Sequence, residues 1–335
     1  MFPRTGGERS CPRHRLSTGN FGRACCARKR VAREAELDDR KRSPMTMAPQ
    51  DKNSPRLLVT LSLAAMLAVA SATAQQPAES RAEEYRAGKS FIPTRVYSQA
   101  EDDKILRAFE GLRVADVTDG MDFVGLKNVG LMDPEIHPLW KDAREFKHRF
   151  IGIAVTVRYV PTQRPPAPAG LSYEEFRAWE GKWYNELSHE PFMEIIRPGT
   201  AVVIDEAPDA DVGSIGSNNI MAWKLKGAVG VVTDATARDT DEVITEEVPL
   251  YLRRPGRGIR PGRNEVESVN KPVVVGGVLV NPGDVIVADG DGVVVVPREH
   301  ALKVLEFAHK IIEGDKAGRR DLYKKLGLPE DASVR

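Results

Sequence analysis

Between Val202 and Val296 the chain is a succession of short β-branched runs separated by glycine-rich turns, a pattern that no all-helical fold accommodates. Val202–Asp205, Val229–Thr233, Val273–Val275, Val278–Val280, Val285–Ala288 and Val293–Val296 read as strands. Gly276-Gly277, Pro282-Gly283-Asp284 and Asp289-Gly290-Asp291-Gly292 supply the turns between them. Helical periods surround this region. Asp102–Leu112 places Ile105, Leu106, Phe109 and Leu112 on one face, and Glu299–Glu313 does the same with Ala301, Val304, Leu305, Ala308, Ile311 and Ile312. With a helix start and a strand at Ile151–Val160 in residues 113–160, the expectation is a mixed α/β layered core.

Two segments interrupt that pattern. Pro161–Gly170 is a proline-rich loop, and behind it Tyr173–Leu187 carries Phe176, Trp179, Trp183, Tyr184 and Leu187 at helical spacing. An aromatic stripe of this kind packs against a neighbour more often than it boxes a ligand, and residues 161–192 read as an insertion that shapes a lid or a subunit contact.

The start of the chain reads as an address. Lys52 and Arg56 precede an apolar stretch from Leu57 to Ala70, and Ala72-Thr73-Ala74 is an A-x-A cleavage signal, so residues 45–74 are expected to be a cleavable signal peptide and the mature chain to start at Gln75. That places the protein in the periplasm or outside the cell, with no stable membrane span after cleavage. Residues 1–44 are either disordered or an over-extended start. They hold 12 Lys and Arg against 5 Asp and Glu, whereas residues 75–335 hold 35 against 42, so the near-neutral whole hides an acidic body. An acidic body without a basic stripe argues against nucleic acid as a partner. Cys11, Cys25 and Cys26 are the only cysteines and precede the cleavage signal, which leaves residues 75–335 without thiol, disulfide or cysteine-metal chemistry.

Residues 75–335 suit one large domain. Within it, Gly216–Asp239 (GSNNIMAWKLKGAVGVVTDATARD) carries the most chemistry. Gly216-Ser217-Asn218-Asn219 supplies small or capping residues before a helical run, so free N–H groups and the positive end of the helix dipole point into the loop. Gly227 stops that helix, Val229–Val232 follows as a buried strand, and Arg238-Asp239 arrive on the next turn. A guanidinium and a carboxylate beside helix-terminal donors make an anion site. His137, His148, His189, His300 and His309 are scattered without zinc spacing, and Asp284, Asp289 and Asp291 lack the spacing and terminal Glu of a calcium loop.

This block, together with Val117-Thr118-Asp119-Gly120, Gly152–Val157 and Pro272–Pro297 (PVVVGGVLVNPGDVIVADGDGVVVVP), resembles the RraA-like family, which includes class II 4-hydroxy-4-methyl-2-oxoglutarate aldolases and a regulator of ribonuclease activity. The resemblance implies an α/β fold of swivelling β/β/α layers with short strands, glycine turns and a C-terminal helix, assembled as homotrimers or homohexamers with sites between subunits. It implies a divalent-metal-dependent lyase, of aldolase or decarboxylase type, that takes a small 2-oxo acid through an enolate and releases pyruvate. On matching residues, Asp239 is the ligand of Mg²⁺ or Mn²⁺, Arg238 the catalytic clamp on substrate and enolate, and Gly216, Ser217, Asn218 and Asn219 bind the substrate carboxylate. Asp119 and Asp234 stand one layer back, Asp119 also as a candidate helix cap. Two positions depart from the family pattern: Ser217, where an Asp or Glu is common, and Ala235, where a glycine is usual. The family's base comes from a neighbouring subunit's C-terminal region, for which Glu306 and Glu313 are the candidates. A neutral Ser217 favours the alternative of a non-catalytic carboxylate binder. A protein-binding regulator is the third reading, disfavoured by export.

Overall fold

The computed structural model describes residues 78–207 and 211–335. The expected signal segment and cleavage site, and the cysteines, lie outside the described residues. The chain opens with α1 (Ala78–Arg86), α2 (Gln99–Phe109), α3 (Val114–Phe123), β1 (His137–Pro138), β2 (Phe150–Pro161) and α4 (Tyr173–Glu186). It continues with β3 (Thr200–Asp205), β4 (Gly213–Ile215), α5 (Ser217–Lys226), β5 (Ala228–Thr233), β6 (Thr236–Ala237), α6 (Thr240–Thr245), β7 (Leu250–Leu252) and β8 (Arg254–Pro255). The rest is β9 (Asn264–Val269), β10 (Val273–Val275), β11 (Val278–Val280), β12 (Val285–Asp289), β13 (Gly292–Val296) and α7 (Ala301–Leu326).

The main sheet runs β1-β7-β5-β3-β2-β12-β13, with β9 also paired to β2. Its centre is parallel: β2 pairs with β3, and β3 with β5. On its other side β2 is long enough to hold two antiparallel partners, β12 along Phe150–Ile153 and β9 along Val157–Pro161. Side chains alternate along β2 as a pleat requires. Ile153, Val157 and Tyr159 face one way, into two helix-covered clusters, one with α2, α3 and α7 and the other with α5 and α6. Phe150 and Ala154 face the other way, into a cluster closed by Met132, Ile136 and the β10–β11 hairpin. Helices, main sheet and hairpin thus form the expected layers around two apolar faces of one sheet.

Local sequence explains most boundaries. Ser98 and Glu101 form a reciprocal capping box, with Ser98 N–H donating to Glu101 at 2.7 Å, so α2 starts a few residues before its apolar period. Arg113 precedes α3 and Asp116 serves that helix start, taking the Arg113 N–H at 2.9 Å. Asp119 therefore sits within α3, exposed, and does not cap it. Asp289 Oδ2 instead accepts the Val114 N–H at 2.9 Å, and Asp284 accepts the Asn281 and Arg298 N–H groups at 2.8 and 3.0 Å. Both are turn carboxylates satisfied by backbone. α7 runs well past the expected Glu313, because its apolar face ends at Ile312 while good helix formers and pairs such as Lys325–Asp321 carry it to Gly327. Among the described residues, no helix is long and apolar enough to cross a membrane.

Candidate functional site

Two very short strands build the site. β4 and β6 pair in parallel, with Gly213 against Thr236 and Ile215 against Ala237, so the residues that follow each strand emerge side by side. After β4 come Gly216 and α5; after β6 come Arg238, Asp239 and α6. Arg238 N–H donates to the Ile215 carbonyl at 2.8 Å, which locks the pairing at the point where both chains turn into helices. The parallel core strands present their carboxyl ends here, where open α/β sheets gather ligands.

Asp239 precedes α6 in the left-handed region, at φ 56°, and its side chain does not cap that helix. It turns back to α5, where Oδ2 accepts the Ser217 N–H at 3.2 Å. One of the free amides at the α5 N-terminus is thus engaged by Asp239, while the dipole of the helix still favours the carboxylate. Arg238 Nε stands 4.0 Å from Asp239 Oδ1, too far for a tight pair, and the two side chains are 38% and 40% exposed. Neither group is consumed by the other.

Gly216 is required by close approach. A Cβ there would lie 2.8 Å from Asp239 Oδ2 and 3.2 Å from Asn219 Oδ1, so both oxygens border the space that a side chain would fill. Asn219 is oriented from behind: its Nδ2 donates to Glu190 Oε1 at 2.6 Å, which turns its carbonyl oxygen toward Gly216. Glu190 also accepts from Trp223 Nε1 at 2.8 Å and from the buried Arg260 guanidinium. Arg260 donates to the Tyr159 hydroxyl at 2.8 Å and lies 5.4 Å from the Tyr184 ring centre. Burial works against the Arg260 cation, yet Tyr159 and Glu190 more than offset it and hold its pKa above the ordinary value. Burial also pushes the Tyr184 hydroxyl up, while the charges of Arg260 and Arg238 pull it back. Tyr184 thereby links the aromatic helix α4 to the site.

The aromatic stripe otherwise packs. Trp183 is buried and donates to the Asn264 carbonyl at 3.0 Å, and the Trp179 and Trp183 rings lie 5.5 Å apart. Glu190, Arg260, Tyr159 and Tyr184 were not singled out from the sequence as site residues. The only signal for Arg260 is the arginine-rich run from Arg253 to Arg263.

The remaining sequence candidates divide between the site's edge and more distant places. Asp234 is held by Arg253 at 3.1 Å and by the Gly276 N–H at 2.9 Å, so it ties the end of β5 to the β10–β11 turn. Asp119 lies on α3, among the helices over the other end of the sheet face. Asn218 is exposed beside the site, and Ser217 is buried beneath it. Glu306 and Glu313 are exposed on α7. His148 is buried, its Nδ1 accepting the Asp142 N–H at 3.1 Å. Among the described residues, no group of three or more His, Cys, Asp or Glu is placed to hold a metal ion. The oxygen donors at the site are one carboxylate, Asp239, and the amide oxygen of Asn219, a set that suits a hard cation keeping most of its waters.

Behind β4, Asn264 Nδ2 donates to Glu206 Oε1 and to Ser214 Oγ, while Glu206 Oε2 is buried without a partner. Burial raises the Glu206 pKa above 4.5, and the hydrogen bonds from Ser214 and Asn264 offset this only partly. A raised carboxyl stabilises the fold fully below its unfolded value and loses that contribution as pH rises through the folded value. The Glu206 contribution to the melting temperature is therefore expected to fall as pH rises above about 4.5, and Glu206→Gln to flatten that part of the wild-type slope. Identical slopes would show that Glu206 titrates as in the unfolded chain.

The RraA-like family model (Aldolase/RraA) matches residues 114–295. A protein of Halalkalibacterium halodurans named as a putative 4-hydroxy-4-methyl-2-oxoglutarate aldolase is 33% identical over 124 residues, covering 37% of this chain and 58% of that protein. The 4-hydroxy-4-methyl-2-oxoglutarate aldolase of Thermus thermophilus is 34% identical over 105 residues, covering 30% of this chain and 60% of its own length. The match thus spans less than two thirds of either relative. Among solved structures, an uncharacterized Pseudomonas syringae protein superposes with a TM-score of 0.51 at 25% identity, over 71% of this chain and 97% of its own. Streptomyces coelicolor RraAS2, of the RNase ES inhibitor RraA protein family, gives 0.51 at 23% identity, over 68% of this chain and 99% of its own, a likeness of fold. With the layered sheet, the paired β4 and β6 turns and a family match over more than half of its length, the chain belongs to the RraA-like family.

Proposed function

We propose that this protein is a divalent-metal-dependent lyase, of class II aldolase or decarboxylase type, that cleaves a small 2-oxo carboxylic acid and releases pyruvate. The observation that carries this reading is the slack Arg238–Asp239 pair, held beside the α5 N-terminus with both groups open to a ligand. The names of the Halalkalibacterium and Thermus relatives support the reaction class. Asp239, with Asn219 Oδ1 across the space over Gly216, would hold Mg²⁺ or Mn²⁺. When bound, such a cation polarises a 2-oxo group as a Lewis acid. Arg238 grips the substrate carboxylate and 2-oxo oxygens with its planar fork and balances the charge that grows as the enolate forms. The Asn218 and Asn219 amides at the helix start orient the distal carboxylate. A half-exposed site of this kind is completed by a neighbouring copy in a trimer or hexamer, which light scattering at micromolar concentration checks; a stable monomer would contradict it.

The test is pyruvate release from 4-hydroxy-4-methyl-2-oxoglutarate and from oxaloacetate with Mg²⁺. Release above the protein-free control supports the lyase. Release no faster than the control, with saturable binding of the same acids, moves the assignment to a non-catalytic carboxylate binder, the reading favoured by the neutral Ser217. Ser217→Asp adds a second carboxylate beside Asp239, so this variant is expected to gain a larger rise in melting temperature on adding Mg²⁺ than wild type shows. An equal or smaller rise would show that position 217 does not face the cation.

A further inference from the structure

At the opposite end of the sheet from Arg238 and Asp239, a cavity of about 870 Å³ opens where β2, β3 and β5 begin. Its floor is apolar, made by Leu106, Phe150, Ile151, Val229 and Ile312. Its walls carry an excess of cations. Arg113 is taken up by Asp116 and Asp315, and Lys316 by an oxygen of Arg335 at 2.6 Å. Arg107, Arg149, Arg319 and the Arg335 side chain also line it, and none makes a salt bridge among the described residues; Arg319 acts only at longer range on Asp331. Among the described residues, Glu110 and Glu145 are the only acidic side chains lining it. The Arg149 guanidinium lies over the Phe146 ring at 3.7 Å, and its Nε is buried without a hydrogen-bond acceptor. A buried donor left unsatisfied is costly, and an anionic acceptor satisfies it with a charge-assisted bond roughly twice as strong as one to a neutral oxygen.

The walls are built features of the fold. The C-terminal tail doubles back along α7, with Arg320 Nε donating to the Val334 carbonyl at 2.7 Å and Val334 fully buried, so Ala332, Ser333 and Arg335 form one side of the cavity. The volume exceeds what an inorganic anion needs and lies in the range of ligand pockets.

We propose that this cavity binds a small amphiphile with one apolar chain and an anionic head, of the medium-chain carboxylate class, its chain on the Ile151–Val229–Ile312 floor and its head on Arg149 and Arg319. The inference is independent of the lyase reading, because it uses none of the residues at that site.

Calorimetric titration of the full chain with decanoate, decanol and butyrate tests it. Decanoate is expected to bind saturably and at least about tenfold more tightly than decanol, which lacks the charge, or butyrate, which lacks the chain. Arg149→Gln and Arg319→Gln are each expected to weaken decanoate about tenfold and leave decanol unchanged. Arg319 lies toward the solvent end of α7, so its variant keeps the test decisive if Arg149→Gln folds poorly. Equal affinity for decanol and decanoate, unaltered decanoate binding in Arg319→Gln, or uptake only where decanoate self-associates would each overturn the proposal. Sedimentation with anionic vesicles without binding of monomeric decanoate would assign the charge to a membrane surface and overturn it as well.

Discussion

Replacing Asp239 by Asn or Ala is expected to abolish Mg²⁺-dependent pyruvate release while lowering the melting temperature little. Asp239 is exposed, and among the described residues its side chain accepts one hydrogen bond, the 3.2 Å bond from Ser217 N–H. Asn retains both that acceptor and tolerance of the left-handed backbone at φ 56°, so it removes charge alone. Ala also meets the left-handed conformation, which costs on the order of 1 kcal/mol. Arg238→Lys should fail too, since lysine keeps the charge but loses the planar fork. Loss of one charge-assisted contact to the developing oxyanion costs on the order of 3 kcal/mol, about a hundredfold in rate. Steady-state pyruvate assays with and without Mg²⁺, beside thermal melts, check both variants. Equal background release by wild type and variants, with melting temperatures indifferent to Mg²⁺, would make the lyase assignment wrong.

Arg260→Met is expected to be the most destabilising change near the site. Arg260 is 4% exposed and holds Glu190, whose other bonds go to Trp223 and Asn219. Removing the cation leaves a buried carboxylate uncompensated, a loss of about 3–5 kcal/mol. The double variant Glu190→Gln with Arg260→Met should recover much of that stability, because a neutral pair of similar size no longer buries a lone charge. Urea unfolding of the two variants tests this. A single variant within about 1 kcal/mol of wild type would mean that water reaches Glu190 and that Asn219 is not held by this pair.

Some elements were legible because their signals are local. Val273–Val275 and Val278–Val280 are β10 and β11 to the residue, since a β-branched run bounded by two glycines has few other conformations. The Gly216–Gly227 helix follows for the same reason: Gly216 stands before its first turn and Gly227, at φ 111°, ends it. Other elements carried weaker local signals. The segment from Asn264 to Val269 alternates charged and apolar side chains only in part, yet it pairs with the far half of β2 because that strand extends beyond the reach of β12. The expected end of the last helix at Glu313 marked the end of its buried face, whereas the helix itself continues on propensity and surface pairs.

The candidate site divides along the same line. The sequence alone determined that Gly216, Ser217, Asn219, Arg238 and Asp239 belong to one strand–helix block, because glycine stops, capping residues and a buried valine run are read within a few neighbours. Tertiary structure decided what each of them touches. The parallel pairing of β4 with β6 brings Ser217 N–H to Asp239 across 22 positions of chain, gives Asp234 to Arg253 and Gly276, and leaves Asp119 among the α3 helix neighbours. It also brings Glu190 and Arg260, 70 positions apart, together behind Asn219. Charge pairing and hydrogen bonding in a buried site depend on distance in space, and contacts between segments this far apart in the chain leave no periodicity or local composition from which they could be read.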